Sequence, residues 1–138
     1  MYSNFGKVII PEEIVSQIYY PSYLSLKTVL SKKGAINQIP RQIYGVTLNK
    51  SYRTKINNIT LIYRQIKKEL FFGFYQKDGQ YLAYPEKALL DLLYFVSRGI
   101  ETVSFSEIDL SRISKKKLLT WSKSYPKSIK KLLRELLN

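Results

Sequence analysis

The chain has 138 residues, 45% of them apolar, and this length and composition predict one folded domain rather than a disordered segment. Lysine and arginine number 23 against 10 aspartates and glutamates, and the resulting net charge of +13 favours a nucleic acid, an anionic membrane surface or an acidic protein as partner. Cysteine and histidine are both absent, which excludes disulfides, a thiolate nucleophile, cysteine or histidine metal ligands and a histidine general base.

Two short apolar patches in residues 1–20 flank Pro11. Glu12 and Glu13 follow the proline and predict the first turn of a short helix, because the helix dipole favours anions at that end. The N-terminus lacks the cationic start and the long apolar run of a signal peptide, and no apolar run reaches the roughly 18 residues that cross a bilayer. We therefore expect a soluble cytoplasmic protein without a membrane span.

The next elements are a helix and two strands. Residues 23–33 are predicted to form a helix, because apolar residues recur at helical spacing and Gly34 suits its end. Residues 43–48 and 59–66 are β-branched and aromatic, and both are predicted to be strands. Residues 49–51 are predicted to form a turn.

A hairpin is the clearest local prediction in the sequence. Two aromatic, alternating runs, residues 70–76 and 80–84, flank Asp78 and Gly79. Glycine accepts the positive φ that tight hairpin turns require, so the pair predicts an antiparallel connection.

A helix beginning at Pro85 and ending before Gly99 is predicted next, since proline and Glu86 both suit a first helical turn. Lys87 and Asp91 are four residues apart, and we expect them to pair weakly in solvent on the face opposite the leucines. The apolar stripe of this helix comprises Ala88, Leu89, Leu92, Leu93 and Val96.

The charged residues of this helix leave open a second interpretation, a metal-dependent nuclease. Such enzymes bring carboxylates together on a divalent cation beside a lysine, here Glu86, Asp91 and Lys87, with Asp78 nearby. In the common arrangement of such nucleases, one residue separates the second carboxylate from the lysine. Here Glu86 and Lys87 are adjacent, and adjacent side chains on a helix point about 100° apart. The sequence therefore favours a core helix and predicts no catalytic residue, no metal site and no cofactor.

The C-terminal part is predicted to be helical and basic after a connector at residues 100–112. Residues 112–134 contain nine lysines or arginines and no acid. Two apolar faces, before and after Pro126, consist of Leu118, Trp121 and Tyr125, and of Ile129, Leu132, Leu133, Leu136 and Leu137. The whole pattern predicts one α+β domain, with a small, mainly antiparallel sheet flanked by helices and with basic helices at the C-terminus.

Four segments occur in an order that resembles a known family. They are YPSYLSLKTVLSKKGAI (residues 20–36), VTLNKSYRT (46–54), IYRQIKKELFFGF (62–74) and YPEKALLDLLYF (84–95). Over about residues 18–97 the chain is similar to the C-terminal domain of AbiEi antitoxins, from abortive-infection toxin–antitoxin systems. The resemblance implies a domain that suppresses a nucleotidyltransferase-like toxin and assists repression of its own operon.

The chain departs from that family before its first shared segment. Family members usually carry an N-terminal winged helix that binds DNA, and about twenty residues are too few for one. We therefore expect a natural single-domain relative or a fragment. We expect a single domain over residues 1–138 that resembles the AbiEi C-terminal domain, with an N-terminal segment (1–20), a core (21–99) and a basic helical C-terminus (100–138).

Eleven cations are candidates for binding nucleic acid or a protein partner. They are Lys50, Arg53, Lys55, Arg64, Lys67 and Lys68 around the predicted strands, and Lys115, Lys116, Lys117, Lys130 and Lys131 in the C-terminal helices. If the strands pair, the first group gathers on one edge, where Tyr52 and Tyr63 could add aromatic stacking to phosphate contacts. The alternative is a solvated edge on which lysines prevent aggregation.

Three functions remain open from the sequence. The first is a non-enzymatic antitoxin or regulator of the AbiEi type, and the second is a stand-alone basic module that binds DNA or RNA. The third is the metal-dependent nuclease. The last helix is also amphipathic and basic, a pattern that suits an anionic membrane surface, although packing on the sheet is the simpler explanation.

Overall fold

The computed structural model describes residues 15–36 and 42–138. Its first element begins at Val15, so the predicted helical turn at Glu12 and Glu13 lies outside the described residues. The helices are α1 (Val15–Ile18), α2 (Leu26–Lys32), α3 (Pro85–Ser97), α4 (Lys115–Ser122) and α5 (Lys127–Leu137). The strands are β1 (Ser22–Leu24), β2 (Gln42–Thr47), β3 (Tyr52–Ile56), β4 (Ile59–Gln65), β5 (Phe74–Lys77) and β6 (Gln80–Ala83).

The described strands form one six-stranded mixed sheet in the order β3-β4-β2-β1-β6-β5. Three neighbouring pairs are antiparallel, β3 with β4, β2 with β1, and β6 with β5. The pairs β4–β2 and β1–β6 are parallel. The predicted α+β class, with a mainly antiparallel sheet and basic C-terminal helices, is confirmed.

The prediction of one helix over residues 23–33 is wrong at its start. Tyr23 and Leu24 lie in β1, a three-residue strand that is buried throughout, and α2 begins only at Leu26. Tyr23 pairs with Val46 of β2, and Leu24 pairs with Leu82 of β6. Pairing with two strands far away in sequence therefore overrides the local helical spacing.

The strands predicted at residues 43–48 and 59–66 are confirmed as β2 and β4, and the Asp78-Gly79 hairpin is confirmed between β5 and β6. Strand β3 was missed. A second tight turn, at Asn57 and Asn58 with φ of 51° and 64°, joins it to β4. Asparagine tolerates this left-handed conformation better than most residues.

Helix α3 is confirmed from Pro85, but it is buried on every side rather than amphipathic. Every residue from 86 to 95 is buried, because α3 packs against α2 and β6 and also against α4 and α5. Lys87 and Asp91 are consequently 0% exposed. The expectation that they pair in solvent is wrong, since the C-terminal helices cover the face opposite the sheet.

The two C-terminal helices follow the predicted pattern. Leu118 of α4 and Ile129 and Leu133 of α5 are buried, while most of the lysines on both helices face outward. The connector contains two short 3-10 helices, Phe105–Glu107 and Leu110–Arg112. In residues 15–36 and 42–138 no helix combines the length and the apolar character needed to cross a membrane.

Candidate polyanion-binding surface

Cations from neighbouring elements converge at the β3 side of the sheet. Arg53 lies opposite Ile62 in the β3–β4 ladder, so it shares a sheet face with Arg64, two residues further along β4. Arg53 and Arg64 line a shallow depression of about 190 Å³. Arg64 and Lys67 line an adjoining depression of about 330 Å³, so Arg64 belongs to both.

A fourth cation of this surface was missed by the sequence analysis. Arg98 follows the last residue of α3 and lines the larger depression with Arg64 and Lys67. Its guanidinium lies 5.6 Å from the centre of the Tyr94 ring, which holds it at the helix end. The sequence signal that could have identified Arg98 is its position at the end of a predicted helix, where a cation lies beside the unsatisfied carbonyls of the helix C-terminus. We call Arg53, Arg64, Lys67 and Arg98 the cationic edge.

One acid meets the cationic edge. Glu101 accepts a hydrogen bond from Nε of Arg64 at 2.9 Å, and its carboxylate lies 2.7 Å from a terminal nitrogen of the same guanidinium. Glu101 is buried, whereas a quarter of the Arg64 side chain is exposed. The pair orients the guanidinium and neutralises one of four charges, so the cationic edge keeps a positive excess.

The other cations predicted near these strands are exposed but lie outside the two depressions. Lys50 lies in the β2–β3 connection, where its carbonyl accepts a hydrogen bond from the Tyr19 hydroxyl at 2.8 Å. Lys55 lies opposite Thr60, two residues from Arg53 on the same face of β3. Lys68 begins the short 3-10 helix Lys68–Leu70 after β4. The strands therefore bring together Arg53, Arg64 and Lys67 from the six predicted residues.

Tyr52 and Tyr63, predicted to stack at this edge, line the smaller depression, but their side chains alternate with those of its two arginines and point to the opposite face of the sheet. Tyr63 is 1% exposed, and its hydroxyl donates to the carbonyl of Val15 at 2.7 Å. Burial raises the pKa of this tyrosine above its usual value. Tyr52 is exposed, but it alternates with Arg53 and points to the opposite face, where it stacks on Tyr19. Stacking beside the cationic edge is therefore not available to Tyr63.

The predicted C-terminal cations lie on separate helices. Lys115, Lys116 and Lys117 form the first turn of α4 and are exposed, and Lys130 and Lys131 lie in the first half of α5. Positive charge at a helix N-terminus opposes the helix dipole, so the three lysines of α4 weaken the helix. Glu86 partly offsets this, since its carboxylate accepts a hydrogen bond from the backbone of Ser114 at 2.7 Å.

The charged pair of α3 forms a closed polar network. The ammonium of Lys87 donates to Asp91 and to the hydroxyls of Tyr23 at 3.1 Å and Tyr125 at 2.6 Å. Asp91 also accepts from Tyr125 at 2.6 Å, from Tyr23 at 2.8 Å and from the hydroxyl of Ser25 at 2.9 Å. All three protons of the ammonium and all four acceptor positions of the carboxylate are therefore used.

Burial sets the protonation behaviour of this network. Desolvation lowers the pKa of Lys87, and the neighbouring Asp91 partly opposes that shift. Desolvation, reinforced by the negative charge of Asp91, raises the pKa of Tyr23 and of Tyr125 well above the ordinary tyrosine value. The network joins β1, α3 and the residue before Pro126, and it is sealed from solvent.

The carboxylates considered for a nuclease do not converge. Asp91 is enclosed in the network, Glu86 accepts a hydrogen bond from the backbone of Ser114, and Asp78 lies exposed in the β5–β6 turn. Across the part of the chain that the structure describes, no group of three or more His, Cys, Asp or Glu side chains could hold a metal ion.

Comparison with models of known protein families, with curated proteins and with solved structures finds no match for this chain.

Proposed function

We propose that this chain is a non-enzymatic antitoxin domain of the AbiEi type, which acts in the cytoplasm by binding a nucleotidyltransferase-like toxin. Four sequence segments in family order support the antitoxin role. The observation that carries the binding mode is the cationic edge, where Arg53, Arg64, Lys67 and Arg98 converge over two adjoining depressions. The proposal requires an acidic face on the toxin.

A binding role also fits the chemistry of the remaining polar groups. Lys87 and Asp91 would be the natural candidates for reactive side chains, but both are 0% exposed and fully hydrogen-bonded. The cationic edge, by contrast, offers guanidinium and ammonium groups that solvent reaches. Such groups bind carboxylates and phosphates through charge-assisted hydrogen bonds.

The proposal is tested by co-expression with the product of the adjacent open reading frame, which it requires to be a nucleotidyltransferase. The full chain should restore growth, whereas the double variant Arg53→Glu and Arg98→Glu should not. The matched control is Lys123→Glu with Lys127→Glu, which changes net charge by the same amount at two exposed positions outside the cationic edge. An edge variant that rescues as well as the control contradicts the proposed binding mode.

The lysine-rich first turn of α4 favours a second candidate, a stand-alone module that binds DNA or RNA. Three adjacent lysines at a position where they weaken their own helix suit a site for phosphates. This function predicts no growth rescue and an affinity for nucleic acid that falls steeply as salt rises. The rescue assay distinguishes the two candidates, and fluorescence anisotropy with a labelled oligonucleotide at two salt concentrations measures the salt dependence that the second candidate predicts.

A further inference from the structure

Three half-buried aromatic rings form a row where the β5–β6 hairpin meets α4. The ring centres of Tyr75 and Tyr84 lie 4.7 Å apart, and those of Tyr84 and Trp121 lie 5.8 Å apart. Tyr75 belongs to β5, Tyr84 immediately precedes α3, and Trp121 belongs to α4. We call these three residues the ring strip.

The surrounding structure holds the ring strip in place. The backbone N–H of Tyr84 donates to the carbonyl of Gly73 at 3.0 Å, which closes the hairpin beside Tyr75. Phe72 meets the Trp121 ring edge to face at 6.0 Å. Each ring is partly exposed although it is braced from behind, as a platform for an external ligand requires.

One lysine lies at the Tyr75 end of the ring strip, and another lies beside its middle ring. The ammonium of Lys117 lies 4.7 Å from the centre of the Tyr84 ring and 6.0 Å from that of Trp121. The ammonium of Lys33 donates to the Tyr75 hydroxyl at 3.2 Å and lies 5.8 Å from its ring centre. Both lysines are exposed, so an incoming phosphate can reach them.

Rings interleaved with cations match the chemistry of one ligand class. Proteins that bind single-stranded nucleic acid combine aromatic platforms for the bases with cations that follow the backbone. A duplex hides its base faces in the stack, so it cannot use such rings. Lys115 and Lys116 extend the positive charge beyond Lys117 along the first turn of α4.

We propose that the ring strip, with Lys33 and Lys117, is a binding site for single-stranded nucleic acid. Unpaired bases stack on the exposed parts of Tyr75, Tyr84 and Trp121, and the two lysines contact the backbone phosphates. The site shares no residue with the cationic edge and does not depend on the antitoxin role. Rings that merely seal the helix–sheet border would give no response to an added oligonucleotide.

Trp121 is the one tryptophan in the sequence, so the intrinsic fluorescence of the protein reports directly on the ring strip. The full chain is titrated with a single-stranded oligothymidine, and then with the same strand annealed to its complement. We expect the single strand to quench Trp121 and to bind several-fold more tightly than the duplex. Unchanged tryptophan emission, or equal binding of the two forms, would overturn the proposal.

Two ring variants locate the site. Tyr75→Ala and Tyr84→Leu each remove one stacking surface, and each should weaken binding of the single strand about tenfold. The matched control is Tyr52→Ala, which removes an exposed ring that stacks on Tyr19 on another part of the sheet. Circular dichroism and thermal melting confirm that each variant is folded.

A charge variant keeps the test decisive if a ring variant fails to fold. Lys117→Gln retains all three rings and should lower the slope of log affinity against log salt by about one. An unchanged slope contradicts the phosphate contact.

Binding that is lost in the Arg53→Glu and Arg98→Glu variant but kept in the ring variants would assign the nucleic acid to the cationic edge. A shift of Trp121 emission with anionic vesicles alone would assign the rings to a membrane surface, and either result overturns the proposal.

Discussion

Lys87 and Asp91 are the residues whose removal should disturb the core most. A buried ion pair contributes little relative to well-packed apolar residues, but loss of one partner leaves the other charge unpaired and desolvated. In this protein the carboxylate of Asp91 also accepts hydrogen bonds from Tyr23 and Tyr125, which come from opposite ends of the chain. The network is one of the contacts that hold the C-terminal helices on the core, together with the buried side chains of Leu118 and Ile129.

Asp91→Ala should lower the free energy of unfolding by about 3–5 kcal/mol, because it strands a buried ammonium. Urea denaturation at neutral pH measures the change. Glu135→Ala removes an exposed carboxylate of α5 and serves as the control, with an expected change within about 0.5 kcal/mol. Equal effects of the two variants would show that the network contributes nothing.

The raised tyrosine pKa values predict a loss of stability in alkali. An unfolded tyrosine releases its proton near its ordinary pKa of 10.0, whereas folded Tyr23 and Tyr125 keep theirs. The contribution of these two tyrosines to the free energy of unfolding is therefore complete while the pH is below the ordinary tyrosine pKa. Above it, the free energy of unfolding falls by about 1.4 kcal/mol per pH unit for each tyrosine. The lowered pKa of Lys87 acts in the opposite direction and only below its ordinary value of 10.5.

Urea midpoints measured between about pH 9 and about pH 11 test this dependence. The wild-type midpoint should drop steeply above the ordinary tyrosine pKa, and Tyr125→Phe should flatten the drop, because one of the tyrosines is gone. Wild-type and variant curves that run parallel through this range would contradict the assignment.

Elements with a strong local signal were predictable from the sequence, and elements defined by distant partners were not. Pro85 and the leucines after it define α3, and Asp78-Gly79 defines the hairpin. Strand β1 has only three residues, and its identity depends on pairing with β2 and β6. Strand β3 has no buried residue, so it is defined only by its pairing with β4.

The residues of the candidate surfaces also differ in this way: some have a local sequence signal, and others come together only in the fold. The sequence locates Arg53, Arg64 and Lys67 because they lie near predicted strands. It misses Arg98, which the length of α3 brings to the same surface. The ring strip was missed too, since Tyr75, Tyr84 and Trp121 lie in three different elements and meet only in the fold. Their spacing in the sequence gives no reason to group them.

Helix α4 supplies a prediction at the element scale. Lys115→Glu with Lys116→Glu replaces two cations that oppose the helix dipole with two anions that favour it, so stability should rise by about 0.3–1 kcal/mol. The same variant should bind nucleic acid more weakly, because positive charge is lost beside the ring strip. Thermal melting and anisotropy measure the two effects.

The control for α4 is Lys130→Glu with Lys131→Glu, which makes an equal charge change inside α5, away from its first residue. This control should not gain stability from the dipole. A less stable α4 variant would contradict the dipole argument, and a variant that keeps full affinity would contradict a binding role for the lysines of the first turn.

Across the whole molecule, the two proposed surfaces lie at opposite ends of α3. Tyr84 precedes the helix and Arg98 follows it, so about 20 Å of helix separates the ring strip from the cationic edge. The strands agree with this separation, since β3 and β5 are the two outer strands of the sheet. A single-stranded nucleic acid and a protein partner could therefore occupy the two surfaces together.

The central claim is that the cationic edge, rather than the diffuse charge of +13, is the working surface. Elution from heparin, a partner-independent polyanion, tests it with the wild-type chain and two variants of equal net charge. Arg53→Glu with Arg98→Glu should elute at much lower salt than Lys123→Glu with Lys127→Glu, because only the first removes a preformed cluster. Elution of both variants at the same salt concentration would contradict the account.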